Sequence, residues 1–303
     1  MNKARFGQFC AVFAALAVLT CGQGFPWGDA AHMAITRASC KVLPGELGEV
    51  FRANEDFLAY HSLDPDIRAN EEKKLPPEER TERHGHFIDI DLYGRFPFSG
   101  VPHSYAEAVK RYGETTLKAW GTLPWRVDKY FQKTVSAMKA DDWEEAMLAA
   151  ANLSHYLADA HVPLHLTYNY DGQYTGNYGV HGRFDTELPK RVLKHAELSP
   201  KAAKVEPEMA EAAEFVFSII PDAYVWIDNI LWADSLASAG RDDYDEVYYG
   251  RFQELIGSLA YERMNKAAHN IACIWLSAWV EAGKPKPPAY LKLSAEYIPS
   301  YPY

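Results

Sequence analysis

DDWEEAMLAAANLSHYLADAHVPLH, residues 141–165, decides how the fold is read. It opens with Asp141, Asp142, Glu144 and Glu145, acids that suit the positive end of a helix dipole. Ala, Leu and Met then recur every three or four residues, the period of a helix with an apolar face. His155 and Asp159 stand four apart, so on a helix their side chains share one side. Pro163 has no amide hydrogen and ends the regular helix nearby. His165 follows closely and can turn back toward that side. Imidazole and carboxylate are the ligands of open catalytic zinc sites.

Working outward, helical periodicity covers most of the chain. It predicts helices over 30–43, 46–61, 104–120, 124–140 and 141–160, then 197–220, 221–237 and 244–283. Strand alternation is scarce. The class is all-α, one compact helical bundle. Segments 71–83, 95–103 and 169–180 read as loops, and 286–303 as a Pro-rich tail. With 303 residues and 48% hydrophobic content the chain can bury a sizeable core.

Residues 1–24 read as a secretory signal peptide. Lys3 and Arg5 precede a short apolar run over Val12 to Leu19, and small residues follow. That run is too short to span a bilayer comfortably, and no other run reads as a membrane span. The mature domain is then 25–285, secreted or periplasmic. Cys21 follows Thr20, which fits a lipoprotein signal poorly, so no lipid anchor is expected. The whole chain carries −10, and losing Lys3 and Arg5 takes the mature chain to −12. Such a surface excludes a broad basic face for nucleic acid, so a polyanion would be held locally. Cys40 and Cys273 remain after the leader, as one disulfide or as two buried thiols.

A second pair, His181 and Asp185 in HGRFD, repeats the four-residue spacing within 31 residues of the first. Upstream stand FPWGDAAH (25–32), HSLDPDIR (61–68) and HGHFID (84–89). The segment 61–68 offers Asp64 and Asp66, and 84–89 offers His84 and His86. Asp89 and Asp91 read either as partners of ligand imidazoles or as solvated acids.

In this order, from Trp27 to Asp185, the pieces resemble the S1/P1 nuclease family. That family stands with the bacterial zinc-dependent phospholipases C in one all-helical superfamily. The resemblance implies a trinuclear Zn2+ cluster. Asp66, His86, His155 and Asp159 would hold one ion, and His165, His181 and Asp185 a second. His32 and Asp159 would hold the third, with the amino nitrogen and carbonyl oxygen of an N-terminal Trp27. The family pattern selects Asp66 over Asp64 and His86 over His84, while a phospholipase-like alignment recruits His61. His161 falls outside the motif. A cut after Gly24 leaves Phe25 and Pro26 ahead of Trp27, so the third site depends on further trimming.

The implied activity is zinc-dependent phosphodiester hydrolysis, with Asp66 and Asp159 as the central carboxylates. Clustered zinc lowers the pKa of a bound water and stabilises charge on phosphate oxygens. Single-stranded DNA, RNA or nucleotides are the expected substrates, with phospholipid as the alternative, and no stable protein partner is implied. Phe87, together with Asn177 in a Gly-Asn pair similar to the nuclease loop, is expected at the substrate. Tyr168, Tyr170, Tyr174 and Tyr178 could stack on bases or cage a choline.

Overall fold

The computed structural model describes residues 27–201, 206–207, 211–241 and 243–295, so the leader 1–24 lies outside the described residues. Among these the regular structure is helical, as the periodicity predicts. In chain order the helices are α1 (Asp29–Val42), α2 (Gly45–Ala53), α3 (Glu55–His61), α4 (Asp64–Glu71) and α5 (Ile90–Tyr93). Then come α6 (Tyr105–Tyr112), α7 (Glu114–Trp120), α8 (Leu123–Lys139), α9 (Trp143–Asp159) and the short α10 (Val180–Gly182). α11 (Leu188–Leu193), α12 (Ala212–Tyr224), α13 (Ile227–Ser238) and α14 (Glu246–Glu281) complete the set.

The opening stretch becomes the central helix. Asp142 caps α9 by accepting from Glu145 N at 3.2 Å. From Ala149 to Asp159 every residue of α9 is buried, as befits a helix enclosed on all sides. Its alanines let neighbouring helices come close. α8 packs along it, and α1, α3 and α14 cover other faces. At 36 residues α14 spans the molecule, roughly 54 Å at 1.5 Å per residue. Its Trp275 donates its indole N–H to Ala150 O at 3.0 Å and packs on Phe51, with ring centroids 4.9 Å apart.

Some helix bounds differ from the prediction for identifiable reasons. The stretch 46–61 breaks at Asn54, whose amide donates to Val50 O and Leu291 O and accepts from Leu293 N. Those bonds also dock the start of the Pro-rich tail. The stretch 104–120 breaks at Gly113, where φ is +82°, a conformation that glycine adopts without strain. DPDIR forms the start of α4, with Pro65 in a position a helix start tolerates. In the predicted helix 197–220, regular helix begins only at Ala212, and parts of the stretch lie outside the described residues. Ala212–Ser238 has the length and apolar composition of a membrane span, which the sequence reading did not flag. It consists of two helices, and half of its apolar window is buried inside the protein.

Candidate metal centre

α9 presents His155 and Asp159 one turn apart, with His155 Nε2 at 3.3 Å from Asp159 Oδ2, and neither is exposed. Past Asp159 the chain tightens into a 3-10 turn over Pro163–Leu166. The turn brings His165 back, with Nδ1 at 3.8 Å from Asp159 Oδ1. α1 supplies His32, with Nε2 at 3.4 Å from Asp159 Oδ1 and its ring stacked on His155 at 3.9 Å. The first turn of α4 supplies Asp66. The turn before Ile88 supplies His86, whose Nδ1 lies 3.1 Å from Asp159 Oδ2, 3.0 Å from His155 Nε2 and 3.7 Å from Asp66 Oδ1.

The second pair sits on a distorted helix. Residues Arg183–Glu187 form a π-helical turn between α10 and α11, a feature that often marks functional sites. Pro189 cannot donate to the Asp185 carbonyl four residues back. Gly28 N takes that carbonyl instead, at 2.9 Å. The approach is close, since a Cβ on Gly28 would lie 2.9 Å from Thr186 Cγ2. Across this turn His181 Nε2 and Asp185 Oδ2 stand 2.9 Å apart, and His165 Nε2 lies 3.4 Å from the same oxygen.

Arg183, on the same turn, is held by a buried network. Its guanidinium donates to both oxygens of Asp234 on α13 at 2.8 and 3.0 Å, and to the carbonyls of Tyr178 and Asn177. Tyr248 donates to Asp234 at 2.6 Å.

Second partners fix two of the imidazoles. His155 Nδ1 meets Ser62 O at 2.7 Å, and His165 Nδ1 meets His86 O at 2.9 Å. A carbonyl only accepts, so both Nδ1 atoms carry the proton and both Nε2 lone pairs face the carboxylates. Several buried atoms at the focus have no hydrogen-bond partner: both nitrogens of His32, Asp66 Oδ2, Asp159 Oδ1, His165 Nε2 and Asp185 Oδ2. Orphaned buried polar atoms are costly, and cations at the focus would satisfy the carboxylate oxygens, His165 Nε2 and one nitrogen of His32. Among the described residues three groups have ligand atoms within 4.8 Å of one another: His32–Asp66–His155, His86–His155–Asp159 and His165–His181–Asp185. Nitrogen and carboxylate donors in such sets fit zinc.

The electrostatics fit as well. Burial, then the charges of Asp159, Asp29 and other carboxylates, push the Asp66 carboxyl well above its ordinary range. Burial opposes charge on Asp159 too, but His155, His32 and His86 hold it well below that range. Burial and then the neighbouring His32 bring His155 down to about 3. On the second pair burial opposes both charges, yet the two groups favour each other's ions, so Asp185 is lowered and His181 raised. A centre that keeps His155 neutral and crowds carboxylates together is prepared for a cation.

The sequence model of the family described as zinc-dependent phospholipase C matches residues 31–270. The chain belongs to this family. No curated protein matches the chain. The family lies in the phospholipase C/P1 nuclease superfamily, in keeping with the all-helical fold and with the resemblance the motifs carry.

In this family member the implied ligands His32, Asp66, His86, His155, Asp159, His165, His181 and Asp185 all gather at one place. Trp27 is fully buried, and its indole N–H donates to Ala158 O at 3.0 Å, next to Asp159. The alternatives fall elsewhere. Asp64 Oδ2 is 2.9 Å from His61 Nδ1, and neither residue is in a metal group. His84 also stands outside the groups. His161 contacts Leu157 O and the Asn270 amide, both at hydrogen-bond distance. Asn177 is placed otherwise than expected for a substrate contact. It is buried, and its amide donates to Leu231 O, Asp234 and Ser235 on α13, so it braces the tyrosine loop. Phe87 is half-buried. Asp91 accepts from Thr167 Oγ1 and Tyr168 N, whereas Asp89 Oδ1 is buried and without a hydrogen-bond partner. Cys40 and Cys273 are both buried and form no disulfide, so of the two alternatives the structure takes the thiols.

Two features escaped the sequence reading. One is the Arg183–Asp234 pair, whose members are 51 positions apart and leave no local signal. The other is Glu82, buried among Arg68, Arg126 and Tyr156. Its position four residues before His86 was the available signal.

Proposed function

We propose that this chain is a secreted or periplasmic phosphodiesterase that works with three zinc ions on single-stranded nucleic acid or nucleotides. The observation that carries the hydrolytic reading is the convergence of the three His/Asp groups on atoms left without partners. When bound, zinc would supply an acidified water and positive charge for the phosphoryl oxygens. Asp159 lies between the groups and would hold two of the ions, and Asp66 would complete the first group. The carbonyls of Ser62 and His86 hold the protons of His155 and His165 away from the reacting phosphate.

Aromatic and polar groups around the centre support the nucleic-acid reading. Tyr170 meets the His181 ring edge to face, with centroids 5.8 Å apart. Exposed Tyr168 and Tyr174 stack at 4.9 Å, a platform on which bases can lie. Phe87 follows His86 in the chain. Two residues on, burial and then the charge of Asp91 raise the Asp89 carboxyl to about 7.

The family's description favours a second reading, a phospholipase C, and the same tyrosines suit a quaternary ammonium. The experiment compares zinc-loaded protein on single-stranded DNA, RNA and phosphatidylcholine vesicles, with Asp159→Asn as control. Cleavage of DNA or RNA, lost in the variant, supports the proposal. Release of diacylglycerol with no nucleic-acid cleavage replaces it by the second reading. Hydrolysis that survives in Asp159→Asn removes the metal centre from the account.

A further inference from the structure

We propose that Glu82 is a positioning residue for the metal centre, the carboxylate that takes the outer N–H of His86 and aims its Nδ1 at the bound ion. The proposal rests on the metal-centre reading above. His155 and His165 each have Nδ1 fixed by a backbone carbonyl. His86 faces the centre through Nδ1, so its outer nitrogen is Nε2, which is buried and without a hydrogen-bond partner. Glu82 Oε1 lies 3.8 Å from that nitrogen, one turn back in the chain. At that distance the contact is longer than a hydrogen bond. A shift of under 1 Å, as a ligand drawn onto a metal could undergo, would close it.

Glu82 is held in place by two guanidinium groups and a tyrosine hydroxyl. Arg68 reaches Oε2 and Oε1 at 3.3 and 3.4 Å, Arg126 reaches Oε2 at 3.4 Å, and Tyr156 donates its hydroxyl to Oε1. Arg68 is itself fixed by Asn152 Oδ1 at 2.7 Å and by Tyr130. Arg126 crosses over Gly85, where a Cβ would come within 2.6 Å of its Nε. Glu72 braces the same loop from behind, accepting from Thr81 N, Thr81 Oγ1 and Glu82 N at 2.8, 2.9 and 2.6 Å. Arg68 and Arg126 pair with Glu82 as salt bridges, and its Oε1 is the oxygen that faces His86 Nε2. A carboxylate behind a ligand imidazole fixes its tautomer and raises its basicity.

Glu82→Gln and Glu72→Gln separate this role from mere support of the loop, because Glu72 holds the loop without facing His86. Zinc count by native mass spectrometry and affinity by chelator competition are read on both variants and on wild type. The tautomer of His86 is read from ¹⁵N shifts of the zinc-loaded wild type. The proposal expects Glu82→Gln to weaken one zinc by roughly 10- to 100-fold and to spare the others. It expects Glu72→Gln to keep wild-type affinity even where its melting temperature falls, and the His86 proton to sit on Nε2. Wild-type affinity in Glu82→Gln, equal zinc loss in both variants, or a proton on Nδ1 overturns it. A wild-type chain that takes no zinc overturns the metal reading itself, and the proposal with it.

Discussion

His161 shows how a single residue can look like a ligand and act as a brace. It lies two positions after Asp159, yet its ring is used up by Leu157 O and the Asn270 amide. Burial, and then the charge of Arg263, lowers it to about 3 from an ordinary value near 6.5. The folded state therefore binds fewer protons than the unfolded chain between these values. Its contribution to stability is full above about 6.5 and is lost as pH falls toward 3. His161→Gln should lose thermal stability less steeply than wild type between pH 6.5 and 4, with an unchanged zinc count; melting curves across that range check it. Gly28 is a second case. Its Cβ would meet the Thr186 backbone at 3.2 Å, so Gly28→Ala must push on the π-turn that carries Asp185. Destabilisation of about 1–3 kcal/mol is expected from such overpacking, readable by denaturant titration.

The candidate ligand residues were legible in the sequence because helices keep register. His155 with Asp159, and His181 with Asp185, sit four apart, and the break at Pro163 marks His165. The choice of Asp66 over Asp64 and of His86 over His84 was not legible from spacing. It follows from how α4 and the turn before Ile88 lie against α9, and that depends on tertiary packing.

Among the elements, the π-turn with α10 carries His181 and Asp185 and leans on α13. Asp234 holds Arg183 from there, and both are nearly fully buried. Asp234→Ala would strand a buried guanidinium, which costs about 3–5 kcal/mol. The same change should weaken zinc at the His165–His181–Asp185 group more than at the others, since only that group rides on the turn. Urea unfolding and chelator competition test the two effects separately. The main helices were legible from their apolar period, and the ends of α9 from its acids and from Pro163. The breaks at Asn54 and Gly113 were not, because one answers to the distant tail and the other to a turn that only glycine's backbone allows.

At the scale of the molecule, α9 is enclosed by helices and its C-terminal end points into the centre. The fold thus brings residues from position 32 to position 185 around one helix end. The cost is a buried set of carboxylates and orphaned nitrogens, which a bound cation offsets. Chelation should therefore lower the melting temperature, and added zinc should restore it.

The most direct test of the central claim is the zinc content of the purified chain after metal-replete expression, by elemental analysis and native mass spectrometry, beside Asp159→Asn. Three zinc ions per chain, with fewer in the variant, are predicted. A wild-type chain without zinc, or a variant that keeps all of it, would contradict the account.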